Sequence, residues 1–125
     1  AFETLNCDRS FYTGIAFSNT TDGVACSYNG ALYHTDNGGN TFSLADKKNQ
    51  TFGKSEHFLC IDARKNKIIS SGLGGFTAVS TDGGENYDSG YSLNNSRINS
   101  VKFLNDTIAI ASSDFGKIFR IHFSD

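Results

Sequence analysis

Short runs of four to seven residues, rich in Ile, Val, Phe, Tyr and Thr, follow one another along the whole chain, separated by Asn, Asp and Gly. Such runs predict strands joined by tight turns. No segment carries a capped apolar period of 3.6 residues, so no helix is expected. Alternation within the runs is mixed rather than strict. In the last stretch Ile108, Ile110, Ile118, Phe119, Ile121 and Phe123 fall on both parities. Strands covered on both faces read this way. The pattern therefore predicts an all-β chain of stacked small sheets.

An internal repeat organises the runs. Thr35-Asp36-Asn37-Gly38-Gly39-Asn40-Thr41-Phe42 aligns with Ser80-Thr81-Asp82-Gly83-Gly84-Glu85-Asn86-Tyr87 at an offset of 45 residues, and Gly30 and Gly75 keep that offset. Three runs precede each of these two segments and one follows it. The first unit has Thr13–Ser18, Gly23–Ser27, Ala31–Thr35 and then Thr41–Ala45. The second has Phe58–Ala63, Lys67–Ser71, Phe76–Thr81 and then Asn86–Tyr91. A third unit runs through Ile98–Leu104, Thr107–Ser112 and Lys117–Phe123. A repeat near 45 residues with four short strands has the size of one β-propeller blade.

The two aligned segments resemble the Asp-box, or BNR repeat, of a β-propeller superfamily that includes sialidases and photosystem-assembly-factor-like proteins. The matching positions are Ser80, Asp82, Gly84 and Tyr87 in one segment and Thr35, Gly39, Thr41 and Phe42 in the other. Asn37 stands where Asp is usual, and Asn86 stands where Thr or Ser is usual. The resemblance implies a structural role for these residues and for Asp36. The box is a turn between the third and fourth strands, on the outer rim, away from the ligand-binding mouth. Its Asp or Asn accepts bonds from the loop's own N–H groups. Its glycines take positive φ, and its aromatic ring packs between neighbouring sheets.

Counting strands gives about three blades, near 12–46, 57–92 and 98–123. Three blades do not close a ring. The expectation is that segment 1–6 supplies the fourth strand of a third blade, and that two chains close a six-bladed ring as a domain-swapped homodimer; the alternative is that the chain is a piece of a longer propeller.

Composition agrees with strands and narrows the chemistry. Gly, Ser, Thr and Asn make up 50 of the 125 residues, and Pro, Met and Trp are absent, which argues against a helical bundle. Eleven Phe and five Tyr make a core affordable. Net charge is −2, which gives no reason to expect nucleic acid as a partner. No apolar run approaches a membrane span, so membrane insertion is not expected. The opening Ala1-Phe2-Glu3-Thr4 lacks the basic start and apolar stretch of a signal peptide. Cys7, Cys26 and Cys60 show no zinc or redox spacing and read as reduced, mostly buried thiols. Asn19, Asn49, Asn94 and Asn105 begin Asn-x-Ser/Thr triplets, a number ordinary for this composition. His34, His57 and His122 read as core or surface residues, and no cofactor or metal is expected.

In a propeller, the loops between second and third strands and those between blades face the mouth. These place Tyr28, Asn29, Phe76, Tyr91, Arg97, Asp114 and Phe115 as candidate ligand-binding residues, with Lys47 and Lys48 in the long connection after the first box. Aromatic rings beside Asn and Asp suit a protein segment or a sugar. Phe119-Arg120-Ile121 resembles the start of the sialidase Phe/Tyr-Arg-Ile-Pro motif, but His122 replaces Pro and Arg120 reads as a strand residue. The only glutamates, Glu3, Glu56 and Glu85, lie in no catalytic setting. The leading expectation is a non-catalytic binding module recognising a protein or glycan. A lectin or remnant glycosidase is the alternative, followed by a structural component of a larger assembly such as a virion.

Overall fold

The computed structural model describes residues 1–5, 10–44, 57–93 and 95–123. Cys7, Lys47 and Lys48 lie outside them. The described residues form eleven strands in three antiparallel sheets. Sheet I is β1 (Tyr12–Phe17), β2 (Gly23–Ser27), β3 (Leu32–Thr35) and β4 (Ser43–Leu44) in that order. Sheet II repeats it with β5 (Phe58–Arg64), β6 (Lys67–Gly72), β7 (Phe76–Ser80) and β8 (Asp88–Ser92). Sheet III has three strands, β9 (Ile98–Phe103), β10 (Ile108–Ser113) and β11 (Ile118–His122). Short 3-10 turns at Leu73–Gly75 and Asp114–Gly116 join the second and third strands of sheets II and III. The strand bounds differ from the sequence pattern by a residue or two, and β4 is a two-residue strand. Residues 1–5 carry no strand.

The sheets stack side by side, with the first strands β1, β5 and β9 adjacent. Sheets I and II bury Val24, Cys26 and Leu32 against Phe58, Ile61, Ile68, Ala78 and Tyr87. Sheets II and III bury Cys60 and Ile69 with Ile98, Val101, Ala109 and Ala111. Both faces of sheet II are therefore covered, which explains the mixed alternation of its strands. Burial pushes the Cys60 thiol up to about 12, helped by the nearby Cys26, and raises Cys26 too. Both are free thiols.

Register makes the repeat finer than the sequence shows. Each first strand has a bulge at the same place. Tyr12 and Gly14 pair with Ser27 and Cys26, Phe58 and Cys60 with Gly72 and Ser71, and Ile98 and Ser100 with Ser113 and Ser112. The skipped residue is Thr13, Leu59 or Asn99. The Thr13 hydroxyl donates to the Phe58 carbonyl at 2.7 Å and so ties sheet I to sheet II.

The two glycine-rich turns use one hydrogen-bond plan. Thr35 Oγ1 donates to Asn37 Oδ1 at 2.8 Å and accepts from the Gly39 N–H at 3.0 Å. Ser80 Oγ donates to Asp82 Oδ1 at 2.8 Å and accepts from the Gly84 N–H at 2.9 Å. The same Oδ1 accepts the Thr41 or Asn86 N–H. The second oxygen of Asp82 accepts from Asn86 Nδ2, whereas Asn37 Nδ2 donates to Thr41 Oγ1. The exchanges at 37 and 41 thus compensate each other as donor and acceptor. Burial works to raise the Asp82 carboxyl, but the bonds from Asn86 and Ser80 outweigh it and hold it below its ordinary value. Tyr87 is buried between sheets I and II. Phe42, its counterpart, lies on the outer face of sheet I beside Ala25 and Tyr33.

The β1–β2 and β9–β10 turns, at the same end of the sheets as the glycine-rich turns, use Asn19 and Asn105; the Gly38 N–H donates to the Thr21 carbonyl at 2.9 Å. Asn19 Oδ1 accepts from the N–H groups of Thr21 and Asp22, and Asn105 Oδ1 from those of Thr107 and Ile108. Beside the second of these turns, Lys65 and Arg64 clasp Asp106 at 2.8 and 2.7 Å. The hydrogen bonds from Lys65 and then Arg64 lower the Asp106 carboxyl from 3.8 to about 2. A depressed carboxylate stabilises the fold above its unfolded value, so this contribution is lost as pH falls from about 4 toward 2. In an NMR titration, Arg64→Ala with Lys65→Ala is expected to return the Asp106 midpoint to near 3.8. An unmoved midpoint overturns the assignment.

Candidate functional site: the mouth rim

Antiparallel order puts the turns after β2, β6 and β10 on one side of the stack, with the entries to β1, β5 and β9. The glycine-rich turns lie on the other side. Across the first side runs one repeated backbone bond. Tyr28 N–H donates to the Phe11 carbonyl at 2.8 Å, Leu73 N–H to the His57 carbonyl at 3.0 Å, and Asp114 N–H to the Arg97 carbonyl at 3.1 Å. Each bond joins the residue before an inner strand to the first residue after the second strand. The bulges beneath these pairs adjust the strand ends that carry them. Gly30, Gly75 and Gly116 follow at the same place in each turn, with φ of 84, 77 and 73°. A side chain there would be strained, so glycine sets the turn that presents the rim.

The rim therefore has three pairs, and their chemistry changes from sheet to sheet. At sheet I the pair is aromatic. The Tyr28 and His57 rings stack at 4.3 Å and 15°, and Phe11 lies 5.6 Å from Tyr28 at 37°. Phe11 is 66% exposed, an outward-facing apolar ring on a polar rim. His57 Nδ1 bonds the Tyr28 carbonyl. A carbonyl only accepts, so Nδ1 is the donor of this bond. At sheet III the pair is charged. Arg97 is exposed. The Asp114 carboxylate accepts from Asn99 Nδ2 at 2.9 Å. The rim thus runs from aromatic to charged.

Of the residues proposed from sequence, the structure brings Tyr28, Asn29, Arg97 and Asp114 to this rim, with Asn29 exposed at the first turn. Phe115 lies in the Asp114–Gly116 turn. Two others stand at the sheet II turn with their rings in other surroundings: Phe76 directly follows the turn, and Tyr91 adjoins Ser92, whose Oγ donates to the Gly74 carbonyl. Phe76 is half-buried with its ring 5.7 Å from Phe58, at the core between sheets I and II. Tyr91 lines a recess of about 270 Å³ between the outer strands, with Val79, Ile121 and Phe123. Arg120 is exposed on β11, opposite Ile110. Phe11, His57 and Asn99 were missed. Their signal was their place relative to the first strand of each unit, which the box alignment does not weigh. Among the described residues no group of three or more His, Cys, Asp or Glu side chains is placed to hold a metal ion. No helix among them is long and apolar enough to cross a membrane.

The sequence matches no family model and no curated protein. The fold is similar to solved structures. YCF48 bound to D1 peptide superposes with a TM-score of 0.79 at 19% identity, covering 92% of this chain and 38% of that one. YCF48 from Cyanidioschyzon merolae gives 0.74 at 19% identity, covering 90% and 37%. An ancestral GH74 enzyme gives 0.63 at 18% identity, covering 88% and 17%. The chain thus spans under two fifths of the length of these neighbours. At this identity the likeness establishes the architecture, an all-β stack of propeller-type sheets.

Proposed function

We propose that this chain is a non-catalytic propeller module that binds an extended protein segment across its mouth rim. Sheets I, II and III serve as three blades, and a second copy closes the ring. The observation that carries the reading is the cluster of Phe11, Tyr28 and His57, aromatic area held on repeated backbone bonds at the entrance. Rigid rings presented this way bury a large area at small entropic cost and dominate binding where they occur. Arg97 and Asp114 at the far end of the rim add polar contacts that orient a bound chain. A neighbour in fold, YCF48, is known with a bound D1 peptide, which supports a protein ligand rather than a glycan. The stack of His57 on Tyr28 supports the same choice, because it occupies one face of the ring a sugar would use.

The test is a library of extended peptides screened on the wild-type chain. Phe11→Ala with Tyr28→Ala is expected to weaken the best binder by about 10- to 100-fold, the size of a small hot spot. Leu104→Ala, exposed in the β9–β10 turn at the other end of the sheets, is expected to leave affinity unchanged. Silence across the peptides with binding on a glycan array overturns the reading in favour of a lectin.

A further inference from the structure

The outer face of sheet I is built like the buried face of sheet II. Register equates Tyr12 with Phe58, since each pairs with the last residue of its second strand. It equates Ile15 with Ile61, which pair with Ala25 and Ser70, and Tyr33 with Ala78, which pair with those same two residues. Sheet II buries Phe58, Ile61 and Ala78 on sheet I to 6% exposure or less. In sheet I the counterpart Ile15 is 61% exposed, whereas Tyr33 is already buried with Tyr12 and Phe42 packed against it. A depression of about 520 Å³, bordered by Thr4 and Leu5, lies over Tyr12, Ile15, Ala25 and Phe42.

Sheet III shows the opposite half. Leu32, buried against sheet II, pairs with Cys26; its counterpart Ile118 pairs with Ser112 and is 72% exposed. Val24, paired with His34, is buried; its counterpart Ile110, paired with Arg120, is only half-buried. The two open end faces are thus the two halves of a contact the chain already makes twice internally. Among the described residues β11 is also a sheet edge, in a sheet of three strands. Phe2 stands ten residues before Tyr12, as the first residue of β8, Asp88, stands ten before Ile98, the register equivalent of Tyr12. Phe2 is fully exposed and Leu5 is 41% exposed. Glu3 lies between them, and β11 carries Arg120.

Resting on the ring reading above, we propose which surfaces join the two copies. The outer face of sheet I in one copy packs on the outer face of sheet III in the other, and reciprocally. Phe2–Leu5 adds to β11 of the second copy as its fourth strand. The contact is heterologous, and two such contacts close the pair. A second copy is the occupant because one chain carries both halves of the contact in matching register, continuous with its own internal sheet-to-sheet interfaces.

Light scattering at high micromolar concentration tests this with Ile15→Asp and Ile118→Asp, both at exposed positions, with circular dichroism to verify folding. The wild type is expected at twice the 13.5 kDa chain mass. Each variant alone breaks every contact, because each contact needs one face of both kinds. Each is expected to be monomeric, with affinity reduced by about 100-fold or more. A one-to-one mixture is expected to recover a heterodimer, since the intact sheet III face of Ile15→Asp meets the intact sheet I face of Ile118→Asp. Removal of residues 1–5 is expected to weaken the wild-type pair. A dimer that survives Ile118→Asp overturns the face assignment while leaving a second copy in place. A wild-type monomer overturns both and leaves the end faces to another occupant, such as further sheets of a longer polypeptide. Neither result decides the peptide assay.

Discussion

Phe58→Ala is expected to lose about 3–5 kcal/mol of stability, a large part of what a domain of this size has. Phe58 is fully buried at the start of β5, in the sheet covered on both faces, and it meets Phe76 at 5.7 Å. Its carbonyl also receives the Thr13 hydroxyl from sheet I, so a collapse around the missing ring would pull on the tie between sheets. The stacked arrangement leaves little freedom to fill the void, which puts the cost toward the upper end of the range. Tyr12→Ala at the equivalent position of sheet I is expected to cost less, because that residue is only half-buried. Urea unfolding of both variants checks the pair. A Phe58→Ala loss below about 1 kcal/mol would mean the face is not a core.

Gly72→Ala is expected to be as severe by a different cause. A Cβ at Gly72 would stand 1.8 Å from the His57 carbonyl oxygen and 2.9 Å from the Leu59 nitrogen. Both are backbone atoms, so no side chain can swing aside, and the β5–β6 pairing at the rim must part. The φ of −174° is ordinary extended backbone, so the penalty is steric. A loss of about 3 kcal/mol or more is expected. Gly74→Ala, two residues on, reverses the causes. Its φ is 68° and a Cβ meets nothing within 4 Å, so only the left-handed backbone cost of about 1–2 kcal/mol applies. Thermal melts of the two variants separate these effects. A Gly72→Ala protein as stable as Gly74→Ala would show that the His57 and Gly72 backbones are not packed as described.

Much of the architecture was legible because turn chemistry is local. The plan of Thr35, Asn37 and Gly39, and of Ser80, Asp82 and Gly84, depends on side chains bonding side chains and backbone two to four residues away. Spacing alone is enough to read such a device. The fourth strand after the first box was harder, because β4 is held by two register pairs and not by its own composition. The turn side proposed as the binding rim was half legible. Tyr28, Asn29, Arg97 and Asp114 follow from loop position. Phe76 and Tyr91 look equally aromatic and loop-borne, yet one ring is drawn to the core by Phe58 and the other lies between outer strands.

The sequence by itself determined that the chain repeats, that its units are short-stranded sheets, and which residues shape the turns between third and fourth strands. Those properties follow from interactions among residues a few positions apart. Only the tertiary structure decided that His57 stacks on Tyr28 from 29 residues away and that Phe11 joins them. It alone decided that Ile61 is buried in sheet II while its counterpart Ile15 is exposed in sheet I. Identical local signals acquire different roles once packing chooses their neighbours. A sheet in the middle of a stack has two neighbours and a sheet at its end has one.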